Sequence, residues 1–414
     1  MLDGSVAQAL LVSAVIIVIG FLGNALFERT GLPDMLFLIV LGYVVGPWLR
    51  LFDPLSVIAL APYLAALALV FILFDGGMHM NIHQVISESP RAILLAVLGF
   101  LSSLLIIAAF MTYLVGVPLL YGILFGSIFG GSSSIVVVSL ARKINVSEKC
   151  STILTLESAI TDILCIVVSL VIIGVILTGQ VDFSLVARDI GVKFLIGALV
   201  GVALGLVWLF SLKGVARQSY SYMLTLAIVL FGYTASEYLG GSGSGALSSL
   251  LFGLVLGNEK SILKALKRER IGDAAVDGGL RRFESEIAFL IRTFFFVFLG
   301  LIAMISDLWF VFIGAIMSLM LLLIRFGVVT LGTCRSELRN ERSVMGVVLT
   351  RGLAAAVLAT LPLQYADPVK YPEAGPIFQE FSSLYINLAV IIIVSTTIIA
   401  TVGVFVLRTK NKKR

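Results

Sequence analysis

The sequence predicts an all-α polytopic membrane protein of about 13 transmembrane helices, arranged as two inverted repeats with crossed discontinuous helices 5 and 12. Three observations carry this expectation. Hydrophobic residues make up 59% of the chain and charged residues 13%, with a mean hydropathy of +1.11. That is too little charge to coat a soluble protein of this length. The apolar residues fall into runs of the roughly 20 residues that cross a bilayer as helix, not the short alternating segments of a membrane barrel. Two of the runs are interrupted by glycine and hydroxyl residues at matching places in the two halves.

Charged or Gly/Pro-rich breaks divide the chain into spans near 6–28, 33–48, 57–78, 92–115, 118–141, 148–178, 190–211, 219–239, 244–258, 283–305, 307–332, 344–361 and 379–407. The first is a span and not a signal peptide. It has no basic segment before it, and the apolar stretch from Val6 to Phe27 exceeds a signal core. The third starts after Pro54, with an interruption expected at Pro62. Cys150, Cys165 and Cys334 are isolated and show no metal or disulfide spacing.

An odd number of spans puts the termini on opposite sides, and Lys and Arg choose between them. With the N-terminus outside and the C-terminus cytoplasmic, 22 of the 29 basic residues are cytoplasmic and only Arg50, Arg188, Lys193 and Lys370 lie outside. This disposition predicts a multi-pass protein of the cell membrane, with lipid around it. The pI near 9.1 reflects these loops and gives no reason to expect nucleic acid as a partner. The inverted repeats are expected at about 1–178 and 219–407, with a charged cytoplasmic linker over 259–282. The whole chain, 1–414, reads as one transporter domain with no soluble regulatory domain.

Charges inside the spans are the next signal, because an ionised side chain at mid-membrane costs at least about 2.5–3.5 kcal/mol and so usually faces protein or water. The sixth span holds Glu157-Ser158-Ala159-Ile160-Thr161-Asp162. Glu157 and Thr161 share one helical face, and Ser158 and Asp162 the neighbouring one, so a hydroxyl sits beside a carboxylate. That is a hard-oxygen site suited to a small cation. Arg292, Arg325 and Arg351 lie in spans ten, eleven and twelve and remain protonated. Glu157 is expected to pair with Arg325, and either Arg351 or Arg292 to tune Asp162.

The fifth span contains Gly130-Gly131-Ser132-Ser133-Ser134 and the twelfth Thr350-Arg351-Gly352. Such runs permit unwinding, which membranes tolerate where the backbone lines a cavity. Interrupted helices in corresponding positions of two repeats mark the midplane binding site of a secondary transporter. Ser132, Ser133, the backbone carbonyls of 132–134, Ser158 and Asp162 could ligate a monovalent cation there. Asp75, in Leu73-Phe74-Asp75-Gly76-Gly77, either lines the approach or ends its helix.

Together these motifs resemble the monovalent cation:proton antiporters of the CPA superfamily, mixing features of the CPA1 and CPA2 branches. The resemblance rests on Pro33-Asp34, Gly42 and Gly46-Pro47, on Leu73–Gly77 and on Glu157–Asp162. It also rests on Glu237 with Ser242-Gly243, on Phe294–Gly300 and on Arg351-Gly352. It implies that Asp162 binds ion and proton, that Glu157 is a structural acid bridged to Arg325, and that the chain forms a homodimer. It implies no enzymatic activity and no cofactor beyond the transported Na+ or K+ and H+. Thr161 stands where electrogenic members carry a second acid, which favours electroneutral one-for-one exchange. Ser133 stands where the sodium branch often has Asp, which leaves Na+ and K+ both open.

Other classes make distinct demands. A cation channel needs no protonatable residue, and an organic-anion transporter would use the arginines but has no need of Glu157 and Asp162. A membrane enzyme would need further metal ligands beside His79 and His83.

Overall fold

The computed structural model describes residues 4–30, 32–49, 61–133, 146–179, 183–215, 221–241, 243–265, 278–305, 307–334 and 336–412. Among them all regular structure is helical. In chain order the α-helices are α1 (Gly4–Thr30), α2 (Asp34–Tyr43), α3 (Ala61–His79), α4 (Ile82–Phe110), α5 (Leu119–Ile128), α6 (Glu148–Thr178), α7 (Phe183–Val215), α8 (Ser221–Gly240), α9 (Ser244–Gly257), α10 (Glu259–Ala265), α11 (Gly278–Ile302), α12 (Leu308–Gly332), α13 (Arg342–Val347), α14 (Leu353–Thr360) and α15 (Gly375–Lys412).

Seven of the described helices are long and apolar enough to cross a membrane, and α9 with α10 would make an eighth as a span bent by 77°. Shorter apolar helices account for Ser13–Leu26, Asp34–Trp48, Tyr63–His79, Leu119–Ile128 and Leu353–Tyr365. The protein is therefore a multi-pass membrane protein. Several sequence expectations lie outside the described residues: Pro54, Ser134 with the rest of the fifth span, Ser242, and 266–277 of the linker.

Helix ends follow local chemistry. Pro33 and Pro118 stand at the N-caps of α2 and α5, where a missing N–H costs nothing. Gly116, at φ 85°, makes the left-handed stop just before Pro118. Ser147 caps α6 by accepting from the Cys150 N–H at 3.2 Å. Asp307 caps α12 by accepting from the Trp309 N–H at 2.9 Å.

The chain divides into two compact units. The first comprises Met1–Ala65, Arg91–Asp162 and Leu290–Arg414. There α2 lies tight against the C-terminal half of α11, because Gly42 and Gly300 leave room for backbone to meet backbone. α12 and α15 pack together, with Gly314 against Leu388 and Ile391. Tyr385 of α15 stacks on Phe125 of α5 at 3.8 Å between ring centroids, and its hydroxyl donates to the Tyr121 carbonyl at 2.8 Å. Asn387 closes the end of α11 by exchanging two hydrogen bonds with the Met304 backbone, at 2.8 and 3.0 Å.

The second unit comprises Ala66–Pro90 and Ile163–Phe289. Its core joins Val70, Phe74 and Met78 of α3 to Trp208 and Leu209 of α7, Phe252 and Leu256 of α9, and Leu280 of α11. Gly197 and Gly201 let α7 ride on the backbone of α9 at Ser244 and Ser248. Glu237 accepts from the N–H groups of Gly243 and Gly245, at 2.7 and 2.9 Å, at the start of α9.

Gly77 faces the Leu250 carbonyl and the Leu254 N–H with no room for a Cβ, whereas a Cβ at Gly76 meets nothing within 4 Å. Gly77→Val should therefore lower stability by about 1–3 kcal/mol through forced separation of α3 and α9. Gly76→Ala should be neutral or stabilising by about 0.5–1 kcal/mol, as an open glycine inside a helix. Thermal unfolding of the two variants in detergent checks the contrast.

Candidate ion site where two broken helices meet

The site is built from interruptions. α5 ends at Ile128, and the segment through Gly130-Gly131-Ser132-Ser133 is non-helical as far as it is described. Two adjacent glycines followed by serines remove the side-chain packing and backbone preference that would carry a helix onward. α13 ends at Val347, residues 348–352 are non-helical, and α14 starts after Gly352. The two breaks touch: the Ser133 N–H donates to the Thr350 carbonyl at 2.7 Å. A Cβ at Gly352 would strike the Ser133 side chain, so glycine permits the close approach. The C-terminal end of α5 and the N-terminal end of α14 thus bring opposite partial charges to one place.

α6 lies beside this junction. The Ser158 hydroxyl donates to the Ser132 carbonyl. The Thr161 hydroxyl donates to the Ser158 carbonyl at 2.9 Å and accepts from the Ser132 N–H at 3.2 Å. Ser132, Ser133, Ser158 and Thr161 are buried, and Asp162 is half-buried one residue beyond Thr161. The structure thus brings the serines of the break together with the hydroxyl pair of α6, and Asp162 follows that pair on the same helix. The Thr350 hydroxyl is fully buried nearby and has no hydrogen-bond partner.

Two arginines belong to this neighbourhood. Arg325 of α12 donates through both terminal nitrogens to the two carboxylate oxygens of Glu157, and its Nε donates to the Met345 carbonyl at 2.9 Å. Glu157 is 2% exposed and Arg325 8%. A pair this far from water is held by its bidentate geometry and its extra hydrogen bond. The bond to Met345 also ties Arg325 to α13, just ahead of the second break. Arg351 lies in that break. Its N–H donates to the Thr396 hydroxyl at 3.2 Å, and its guanidinium donates to the Leu349 carbonyl at 3.1 Å.

Arg292 has a different place from the one the sequence suggested as an alternative to Arg351. Its guanidinium reaches Asp34 at the start of α2, 3.3 Å away, with both side chains mostly buried. Asp75 is in the second unit, where it accepts from the Ser285 hydroxyl at 2.9 Å and lies 3.5 Å from His79 Nδ1. Sequence reasoning missed Asp34 as a buried charge, Thr396 as the partner of the broken backbone, and Glu284, which is 2% exposed on α11. For Asp34 and Glu284 the available signal was an acid within or at the edge of an apolar helix.

Helical units with two interrupted helices meeting beside a carboxylate form a transporter architecture. The sequence pattern described as "Sodium/hydrogen exchanger, transmembrane" matches residues 12–410, and the chain belongs to that family, one of transporters and not of enzymes. The K(+)/H(+) antiporter NhaP of Alkalimonas amylolytica is 23% identical over 310 residues, covering 72% of this chain and 50% of that protein. Sodium/hydrogen exchanger 7 of Arabidopsis thaliana is 27% identical over 266 residues, covering 58% of this chain and 22% of that protein. The chain thus spans half or less of the length of these two relatives. In fold it is similar to the sodium proton antiporter MjNhaP1 from Methanocaldococcus jannaschii, with a TM-score of 0.79, 23% identity and coverage of 98% of this chain and 99% of that one.

Proposed function

We propose that the chain is a secondary antiporter exchanging Na+ or K+ for H+, with cation and proton competing for Asp162. The observation that carries the reading is the junction itself: two non-helical breaks joined by the Ser133–Thr350 bond, with Ser158, one helical turn before Asp162, and Thr161, the residue before it, tied to Ser132. Membership of the sodium/hydrogen exchanger family and the exchange activities named for its relatives support the same reading.

In this mechanism Asp162 carries either a proton or a cation. Ser133, Ser158 and the carbonyls of the first break supply neutral oxygen ligands, with Ser132 and Thr161 shaping that segment. Arg351 offsets part of the Asp162 charge, and Glu157–Arg325 fixes α6 against α12 and α13. An empty, charged carboxylate crosses the low-dielectric barrier poorly, while either neutralised form crosses readily. Coupling follows from that difference. Thr161 bears no ionisable group beside Asp162, so one carboxylate serves one cation or one proton and the exchange is electroneutral. The same reading has the N-terminus outside, the C-terminus in the cytoplasm, two inverted repeats, a homodimer as the assembly, and the chain in the cell membrane.

Proton flux in proteoliposomes, followed with a pH dye while an ionophore clamps the voltage, tests this function. Addition of Na+ or K+ should dissipate an imposed pH gradient, and the responding ion identifies the cargo. If conductance appears without proton movement, the channel reading replaces it.

A further inference from the structure

In the second unit a carboxylate lies where nothing in the exchange mechanism requires one. Glu284 of α11 is 2% exposed, and its Oε1 has no hydrogen-bond donor. Its chain neighbour Ser285 bonds another acid, Asp75 of α3, at 2.9 Å, so a second carboxylate stands close by. Two like charges at such a place repel, and a buried carboxylate oxygen without a donor is costly. One proton held by the pair removes the repulsion, and a neutral Glu284 carboxyl lowers the cost of its unpartnered oxygen.

The surroundings suit a proton better than a permanent counter-charge. Ser285 donates its hydroxyl to Asp75 Oδ1 at 2.9 Å, which leaves the other Asp75 oxygen to accept from elsewhere. His79, one turn along α3, stands 3.5 Å from the same Asp75 oxygen with its side chain 53% exposed, while that of Asp75 is 24% exposed. The ring, whose Nδ1 also lies 2.9 Å from the Asp75 backbone carbonyl, stands between solvent and the half-buried acid. Arg281, three residues before Glu284, donates to the carbonyls of Met78 and Gly257 at 3.2 and 2.6 Å. Arg282 pairs with Glu286 at 3.0 Å on the exposed side. From the junction of α9 and α10, Asn258 is neutral and donates to the Met80 carbonyl, and Glu259 adds a further buried acid.

We propose that Glu284 and Asp75 hold one proton between them, forming a second proton-binding site with His79 as its solvent-side relay. Its occupancy sets the pH range in which the protein works, a consequence that rests on the exchange function proposed above. Because the two acids interact, the proton belongs to the pair and not to either residue.

Infrared difference spectra of the purified protein across a pH titration test the site directly, and they do so whether or not the chain exchanges cations. The wild type should show, beside any band that Asp162→Asn removes, a carboxylic acid carbonyl band that titrates. Glu284→Gln should remove it, and Asp75→Asn should displace its titration by about one pH unit or more. In proteoliposomes Glu284→Gln should retain exchange while its pH profile shifts, whereas Asp162→Asn loses exchange and keeps the band. Thermal unfolding verifies that each variant is folded, and the less buried Asp75→Asn carries the test if Glu284→Gln is not. A band unchanged in either folded variant overturns the proposal.

Discussion

Asp162→Asn should abolish cation-driven proton movement while leaving a folded protein. Asparagine keeps the size and one oxygen of the side chain but removes the charge that either ligand must neutralise. The carboxylate is half-buried, so the substitution relieves a desolvation cost while giving up an attraction to the Arg351 charge, and stability should be about unchanged. The account therefore expects loss of exchange to the level of protein-free liposomes, with no fall in thermal unfolding temperature. A variant still coupling the two fluxes would mean that the exchangeable group lies elsewhere. Asp162→Glu is the informative companion: it keeps the charge but moves it by a methylene, so residual exchange with weaker cation affinity is expected.

Arg325→Met should unfold or severely destabilise the protein, by about 3–5 kcal/mol, because it leaves Glu157 ionised and buried without its partner. Arg325 contributes three contacts, two to Glu157 and one to Met345, so its loss also frees α13 from α12. Glu157→Gln should cost less, since a neutral amide still accepts one hydrogen bond. The double variant Glu157→Gln with Arg325→Met should recover part of the single Arg325→Met loss. Additive losses in chemical denaturation would show that the pair contributes no coupling.

Much of the fold was legible because membrane crossing imposes a long, low-charge period on the sequence. The sharpest sequence signals were again exceptions: acids in α6, arginines in α12 and at the second break, and the Gly130–Ser133 run. Element boundaries were less legible. The predicted span near 344–361 is two short helices around a break, and the one near 379–407 belongs to a single helix over Gly375–Lys412. Hydropathy records where a chain is apolar, not where its backbone unwinds, so the Val348–Gly352 gap had only Thr350-Arg351-Gly352 to announce it.

Pairing was the least legible feature. Glu157 and Arg325 stand 168 positions apart, and Arg292 and Asp34 258 apart. Three arginines and several acids permit many pairings, and only the packing of α2 on α11 and of α6 with α12 selects among them. Thr396 gave no distinct signal, because a threonine inside a membrane helix commonly bonds its own preceding turn. Its hydroxyl does so with the Ile392 carbonyl at 2.6 Å and, in addition, accepts the Arg351 N–H exposed by the break.

The central claim is that cation and proton compete for one carboxylate. Calorimetric titration of the purified protein with Na+ and with K+, in buffers of different ionisation enthalpy, measures the protons released as cation binds. Near the pH at which Asp162 is protonated the account predicts about one proton released per cation bound by the wild type, and neither binding nor release in Asp162→Asn. Cation binding without proton release across the pH range, or release that survives Asp162→Asn, would contradict it.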